Sequence, residues 1–174
     1  MKKALFFIFI FWTGAGFSEA LQISDFYKGA EVGQWILMRS SDGLLTKTSV
    51  IAKGDKKLTL KIENFKKKEL ISRSEQVIDV EAGRVISIKI YDQDSLKEIT
   101  PDSTEMDDFL KITFTKVGEK EIAISKGLFR CDAYKGIYED RIVRVWLNQE
   151  VPILHLVKIR MTGISVELVD YGSG

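Results

Sequence analysis

The chain has one cysteine, Cys131, and one histidine, His155. A single cysteine cannot close a disulfide within the chain. One thiol and one imidazole fall short of the ligands of a structural zinc site unless carboxylates supply the rest. A Cys131–His155 catalytic pair would need a geometry that their spacing does not imply. The acidic run Glu105-Met106-Asp107-Asp108 lacks the alternating ligands and the glycine of a calcium loop. Neither a phosphate-binding P-loop nor a G-x-G-x-x-G fingerprint is present. There is no surplus of positive charge, with 26 basic against 25 acidic residues, so the electrostatic footprint of a nucleic-acid binder is missing. Together these absences predict a protein that is not an enzyme and carries neither cofactor nor metal.

What the chain does have begins at its first residues. Lys2 and Lys3 precede an unbroken apolar run of nine residues, Ala4 to Trp12. The small residues Ser18 and Ala20 then fit the two pockets of a signal peptidase, which predicts cleavage after Ala20. Nine apolar residues do not cross a bilayer core, which needs ~20. The residue after the cleavage point is Leu21 rather than the cysteine a lipid anchor would need. The expectation is a cleaved signal peptide over residues 1–20 and a single domain over 21–174, periplasmic or secreted, with no membrane span after cleavage. Cleavage removes Lys2, Lys3 and Glu19 and leaves 24 basic and 24 acidic residues.

Strand signals dominate the mature chain. Ser24-Asp25-Phe26-Tyr27 would cap one or two helical turns. Apolar segments follow at Gln34–Ser40 and Leu44–Ala52, punctuated by Asp42-Gly43 and Gly54-Asp55, dipeptides that favour tight hairpins. Lys57–Glu63 alternates strictly, with Leu58, Leu60 and Ile62 on one face, the mark of a strand with one wet side. Its neighbour, Asn64-Phe65-Lys66-Lys67-Lys68-Glu69, reads as a solvated hairpin tip, with contact to anionic headgroups as the functional alternative. Further strands are expected at Glu69–Val80, Arg84–Tyr91, Lys111–Val117, Glu121–Ser125, Leu128–Tyr134, Glu139–Leu147, Ile153–Met161 and Ile164–Val169. Turns are expected at Gly118-Glu119, Lys135-Gly136 and Thr162-Gly163, and an interruption at Val151-Pro152. Residues 92–110 break the pattern. They predict a long connection ending in a short helix around Ser103–Lys111, the one stretch able to form a lid or cover a sheet. The fold class is therefore mainly β: a curved antiparallel sheet, half-barrel or open barrel, of about ten strands with one or two short helices.

Several strands are apolar on both faces, among them Trp35 and Leu37 against Ile36 and Met38, and Ile142 and Trp146 against Val143 and Val145. A sheet facing water on one side needs only one such face. The second must meet another layer, a ligand or a partner. Trp35, Leu37, Ile86, Ile88, Phe114 and Trp146 are the candidate lining residues of an apolar ligand site; a filled sandwich or barrel core is the other outcome. His155 shares a strand face with Ile153, Val157 and Ile159, and Cys131 shares one with Phe129 and Ala133; both read as structural, with an intermolecular disulfide as the alternative use of Cys131.

From Ile124 onward a set of short motifs recurs in order: Gly127-Leu128-Phe129-Arg130-Cys131, Val145-Trp146-Leu147, Val151-Pro152, Leu156-Val157-Lys158 and Leu168-Val169-Asp170-Tyr171-Gly172, with Gly33-Gln34-Trp35-Ile36 as the matching opening strand. In this the chain resembles uncharacterised exported proteins of Gram-negative bacteria, and through them the half-barrel envelope family of the periplasmic lipoprotein carriers. The resemblance implies a curved antiparallel sheet wrapped around an apolar cavity. It also implies binding or carriage of a lipid, acyl chain or lipoprotein. The alternative expectation is an envelope module with a filled core that docks onto a protein partner.

Overall fold

The structure is a computed structural model and describes residues 27, 29–82, 84–92, 95–99, 114–138 and 140–174, with only the backbone of 92 and 95. The export signal of residues 1–20 and the helix expected around Ser103–Lys111 lie outside these residues, as does nearly all of the capped turn at 24–29. The described chain forms eleven strands: β1 (Gln34–Ser40), β2 (Leu45–Lys53), β3 (Lys57–Lys66), β4 (Glu69–Asp79), β5 (Arg84–Asp92), β6 (Ser95–Ile99), β7 (Thr115–Ile124), β8 (Gly127–Tyr138), β9 (Arg141–Leu147), β10 (Leu156–Met161) and β11 (Ile164–Ser173). They build one unclosed sheet in the order β6-β5-β4-β3-β2-β1-β11-β10-β9-β8-β7, and every pairing is antiparallel. The first and last strands meet at its centre, and β6 and β7, consecutive in the chain, are its two free edges.

Several expectations are corrected. Gly118-Glu119 does not turn: β7 continues past it, and Gly118, at φ 139°, sits at a bulge where the register with β8 shifts between Lys116 and Gly118. Bulges and hairpin turns both use glycine at positive φ, so the dipeptide marks either. Nor does Lys135-Gly136 turn; Gly136 is buried within β8 opposite Val143. Part of the long connection of 92–110 is the short strand β6, paired to β5 from Asp92↔Ser95 to Ile88↔Ile99. Finally, the last strand does not end at Val169 but continues to Ser173, pairing Gly172 with Trp35.

The sheet curls strongly in its C-terminal half. The β7–β8 tip returns to β11, three places away in strand order. There Ser125 Oγ donates to the Val169 carbonyl at 2.9 Å, and Lys126 Nζ reaches Asp170 at 2.5 Å and the Tyr171 carbonyl at 2.6 Å. The Phe129 and Tyr171 rings meet edge to face at 6.2 Å, a favoured aromatic geometry. The strand expected over Ile153–Met161 starts only at Leu156, so His155 lies not on a strand face but in the loop 148–155 before β10, which packs inward and buries Val151 and Ile153. Ile153 is held at φ 68°, costly for a β-branched residue. Its surroundings fix the loop: Asn148 Nδ2 donates to the Arg130 carbonyl at 2.8 Å, and Asn148 N donates to the His155 carbonyl at 2.7 Å.

Candidate functional site

Alternation along each strand sorts the sheet into two faces, and the register then lines residues of one face into rows. On the core face of β1–β5 one row reads Met38, Thr46, Asn64, Ser72. The next reads Ile36, Thr48, Ile62, Ser74, Ile90. The third reads Val50, Leu60, Gln76, Ile88. Of the apolar members, Ile36, Met38, Val50, Leu60 and Ile62 form the core with Leu58 and Ile78. Within it, β2 to β4 set a polar centre about 10 Å wide, the span of three strands at ~4.8 Å spacing. Thr46, Thr48, Asn64 and Gln76 are all buried there.

Part of this centre satisfies itself. Thr46 Oγ1 donates to Asn64 Oδ1 at 2.7 Å, and Asn64 Nδ2 donates to Ser72 Oγ at 2.9 Å. The rest does not: among the described residues, Thr48 Oγ1 and Gln76 Oε1 are buried without a hydrogen-bond partner. A buried polar group left without a hydrogen bond costs about 1–3 kcal/mol, so two in one buried centre stand out against the near-complete pairing usual in proteins. The amide oxygen can only accept, whereas the hydroxyl can donate or accept. Chemically, Gln76 Oε1 can take a donor, and Thr48 Oγ1 either a donor or an acceptor.

The six sequence candidates do not share a face. Ile88 is buried in the row of Gln76 and borders the polar centre. Ile86 is the extra residue of the β4–β5 bulge, where the register jumps from Val77↔Ser87 to Ile78↔Val85. Trp35 and Leu37 lie on the opposite face, in rows with Ser49 and Lys61 and with Lys47 and Glu63. There Trp35 covers Gly172, with the Lys47 ammonium 4.9 Å from its ring centroid. Phe114 is fully buried just before β7, and Trp146 is buried on β9 opposite Ala133 and Lys158. Sequence reasoning missed Thr46, Thr48, Asn64 and Gln76. The available signal was the inward alternation of Leu58, Leu60 and Ile62, which continues one step to Asn64.

Cys131 and His155 are each tied to nearby backbone. The Cys131 thiol donates to the Phe129 carbonyl at 3.6 Å, and burial, helped by Asp132, pushes its pKa up to about 11. His155 Nδ1 lies 2.8 Å from the Val151 carbonyl, which can only accept, so this nitrogen carries a hydrogen. Desolvation lowers the pKa of the ring, opposed by hydrogen bonds to the backbone of Val151 and Gln149. Among the described residues no group of three or more His, Cys, Asp or Glu is placed to hold a metal. No helix among them is long and apolar enough to cross a membrane.

No family model matches the chain, and no curated protein matches it. Solved structures do. The hypothetical protein CT021 from Chlamydia trachomatis is similar with a TM-score of 0.65 at 7% identity, over 88% of this chain and 93% of that one. PNGF-II, in two crystal forms, is similar with TM-scores of 0.51 and 0.50 at 13% and 14% identity. The match takes in 81% of this chain but only 27% and 28% of PNGF-II. At such identities the likeness is one of fold: a mainly β, antiparallel, open sheet.

Proposed function

We propose that the protein binds or carries a hydrophobic, mildly polar ligand outside the cytoplasm, without chemical turnover. A lipid, an acyl chain or a lipidated protein has the required character. The observation that carries this reading is the pair of unpartnered atoms, Thr48 Oγ1 and Gln76 Oε1, in a buried polar centre bordered by apolar core residues. A ligand that donates to Gln76 and pairs with Thr48 would offset their burial, and its apolar part would lie along residues such as Leu60, Ile78 and Ile88. The resemblance of the C-terminal third to exported Gram-negative proteins, and through them to the periplasmic carriers, supports the same reading, as does the export signal expected at residues 1–20.

The test is native mass spectrometry with lipid extraction of the protein purified without detergent, alongside Thr48→Val and Gln76→Leu. Wild type should retain an amphiphile and both variants should lose most of it. If wild type carries no lipid, and each variant is simply more stable by about 1 kcal/mol from removing an unmade hydrogen bond, the polar centre belongs to a filled core and the reading fails.

A further inference from the structure

The two halves of the outward face are charged on different plans. In the N-terminal half one cross-strand row runs Lys61, Glu75, Lys89, Glu98, alternating in sign from β3 to β6. The adjacent row holds Glu63 between Lys47 and Arg73, with Lys61 and Arg73 at 3.1 and 3.6 Å from the Glu63 carboxylate. Opposite charges facing each other across strands stabilise a sheet.

The C-terminal half reverses this. Lys135 of β8 faces Arg144 of β9, which faces Arg160 of β10. The row ends on the uncharged Thr115 and Ser165. All three cations are exposed, and none has an ion-pair partner among the described residues. Like charges placed directly opposite destabilise a sheet, so this row is costly in the isolated protein. One row further, Lys158 and Arg39 flank Glu167. On the other side lies a directly opposed pair, Ile137 and Ile142, exposed at 65% and 41%. A chain with nearly equal numbers of acids and bases has gathered unneutralised cations on one sheet face and set bare aliphatic side chains beside them.

We propose that the outward face of β8–β10 docks onto the surface of an anionic phospholipid bilayer. Lys135, Arg144 and Arg160 meet lipid phosphates, and Ile137 and Ile142 enter between the headgroups. Charge complementarity selects an anionic surface. The aliphatic pair beside the cations selects a bilayer over an acidic polypeptide, because apolar side chains gain by leaving water at the headgroup boundary while cations beside them stay with phosphate. Bilayer contact also relieves the repulsion within the row. This surface lies on the face opposite the polar centre, so it does not depend on the ligand proposed above.

The experiment is sedimentation of the full-length protein with vesicles of phosphatidylcholine alone and with about one-third phosphatidylglycerol. The N-terminal apolar run is common to every sample, so the readout is the gain that phosphatidylglycerol brings. Wild type should bind the anionic vesicles more strongly and lose the excess at high salt. Arg144→Gln and Arg160→Gln should each weaken anionic binding about fivefold, and together about twenty-five-fold. Arg144→Lys with Arg160→Lys should retain it, and Ile137→Ser with Ile142→Ser should weaken it on anionic vesicles. The control Lys61→Gln with Lys89→Gln removes the same charge from the alternating row and should change binding far less. Equal binding to both vesicle types by wild type overturns the proposal, and that comparison needs no variant. So does an equal loss in the control, which would reflect overall charge. Capture of polyglutamate without preference for phosphatidylglycerol overturns it in favour of an acidic protein partner.

Discussion

Gly172→Ala, made with and without Trp35, tests how the centre of the sheet is assembled. Gly172 of β11 pairs with Trp35 of β1. A Cβ added at Gly172 would lie 3.0 Å from Trp35 Cζ2 and 3.1 Å from Cε2 and Nε1. The indole must therefore lift off the strand, and overpacking of this kind costs about 1–3 kcal/mol. Alanine also gains about 0.5–1 kcal/mol over glycine inside a strand through chain entropy. Gly172→Ala should accordingly destabilise wild type, by up to about 2.5 kcal/mol. In a Trp35→Ala background the clash is gone and only the gain remains, so the same substitution should stabilise by about 0.5–1 kcal/mol. Urea melts of the four proteins give the coupling directly. An effect of the same sign and size in both backgrounds would refute the packing of Trp35 on Gly172, and with it the assignment of Trp35 to a structural role on the outward face.

Three further outcomes are expected. The folded protein holds His155 neutral because burial lowers its pKa, while the unfolded chain titrates near ~6.5. The unfolded state then binds more protons below that pH, so stability should fall as pH drops through about 6.5 toward the folded pKa, and His155→Gln should flatten this slope in melts at pH 5 to 8. Lys67 and Lys68 form the two-residue β3–β4 turn at φ 51° and 71°. Replacing them with Asn-Gly, the pair suited to that turn, should stabilise by about 1 kcal/mol and raise the melting temperature by roughly 2–4 °C. With its pKa near 11, the Cys131 thiol should react with iodoacetamide at pH 8 at least ~100-fold more slowly in the folded protein than in urea; equal rates would show that β8 opens freely.

The parts of the fold that were legible are those where one local signal has one meaning. β1 over Gln34–Ser40 was expected at the observed limits, because its apolar run ends on a tight turn whose glycine, Gly43, has φ 84°. β3 followed from its alternation, and Thr162-Gly163 from the same turn chemistry. The misreadings arise where one signal serves two structures. Gly118 and Gly136 lie between apolar segments as turn glycines do, but one makes a bulge and the other a close-packed interior position. β6 has too little apolar content to register, with Leu96 60% exposed, because an edge strand buries little. The polar centre was harder still. Asn64 follows from the alternation of β3, but Thr46, Thr48 and Gln76 look like ordinary wet-face residues, and only the register of β2 and β4 with their neighbours shows them to face the core.

The way the sheet ends bears on which surfaces can take a partner. An unclosed sheet has two rows of unpaired backbone groups, which invite strand addition. Here both edges are blunted. β6 is five residues long. β7 is longer but is bent by the Gly118 bulge and carries Lys116, Glu119, Lys120 and Glu121. Two of these are held by cross-strand ion pairs to β8: Lys116 to Asp132 at 2.9 Å and Glu119 to Arg130 at 2.5 Å. Short length, bulging and charge are the devices that keep edges from pairing. Recognition through the backbone of an edge is thereby disfavoured, which weighs against a docking module that adds a partner's strand. What remains is recognition through the faces. The core face offers a buried polar centre with two unmet hydrogen bonds, and the outward face of β8–β10 offers a row of unneutralised cations.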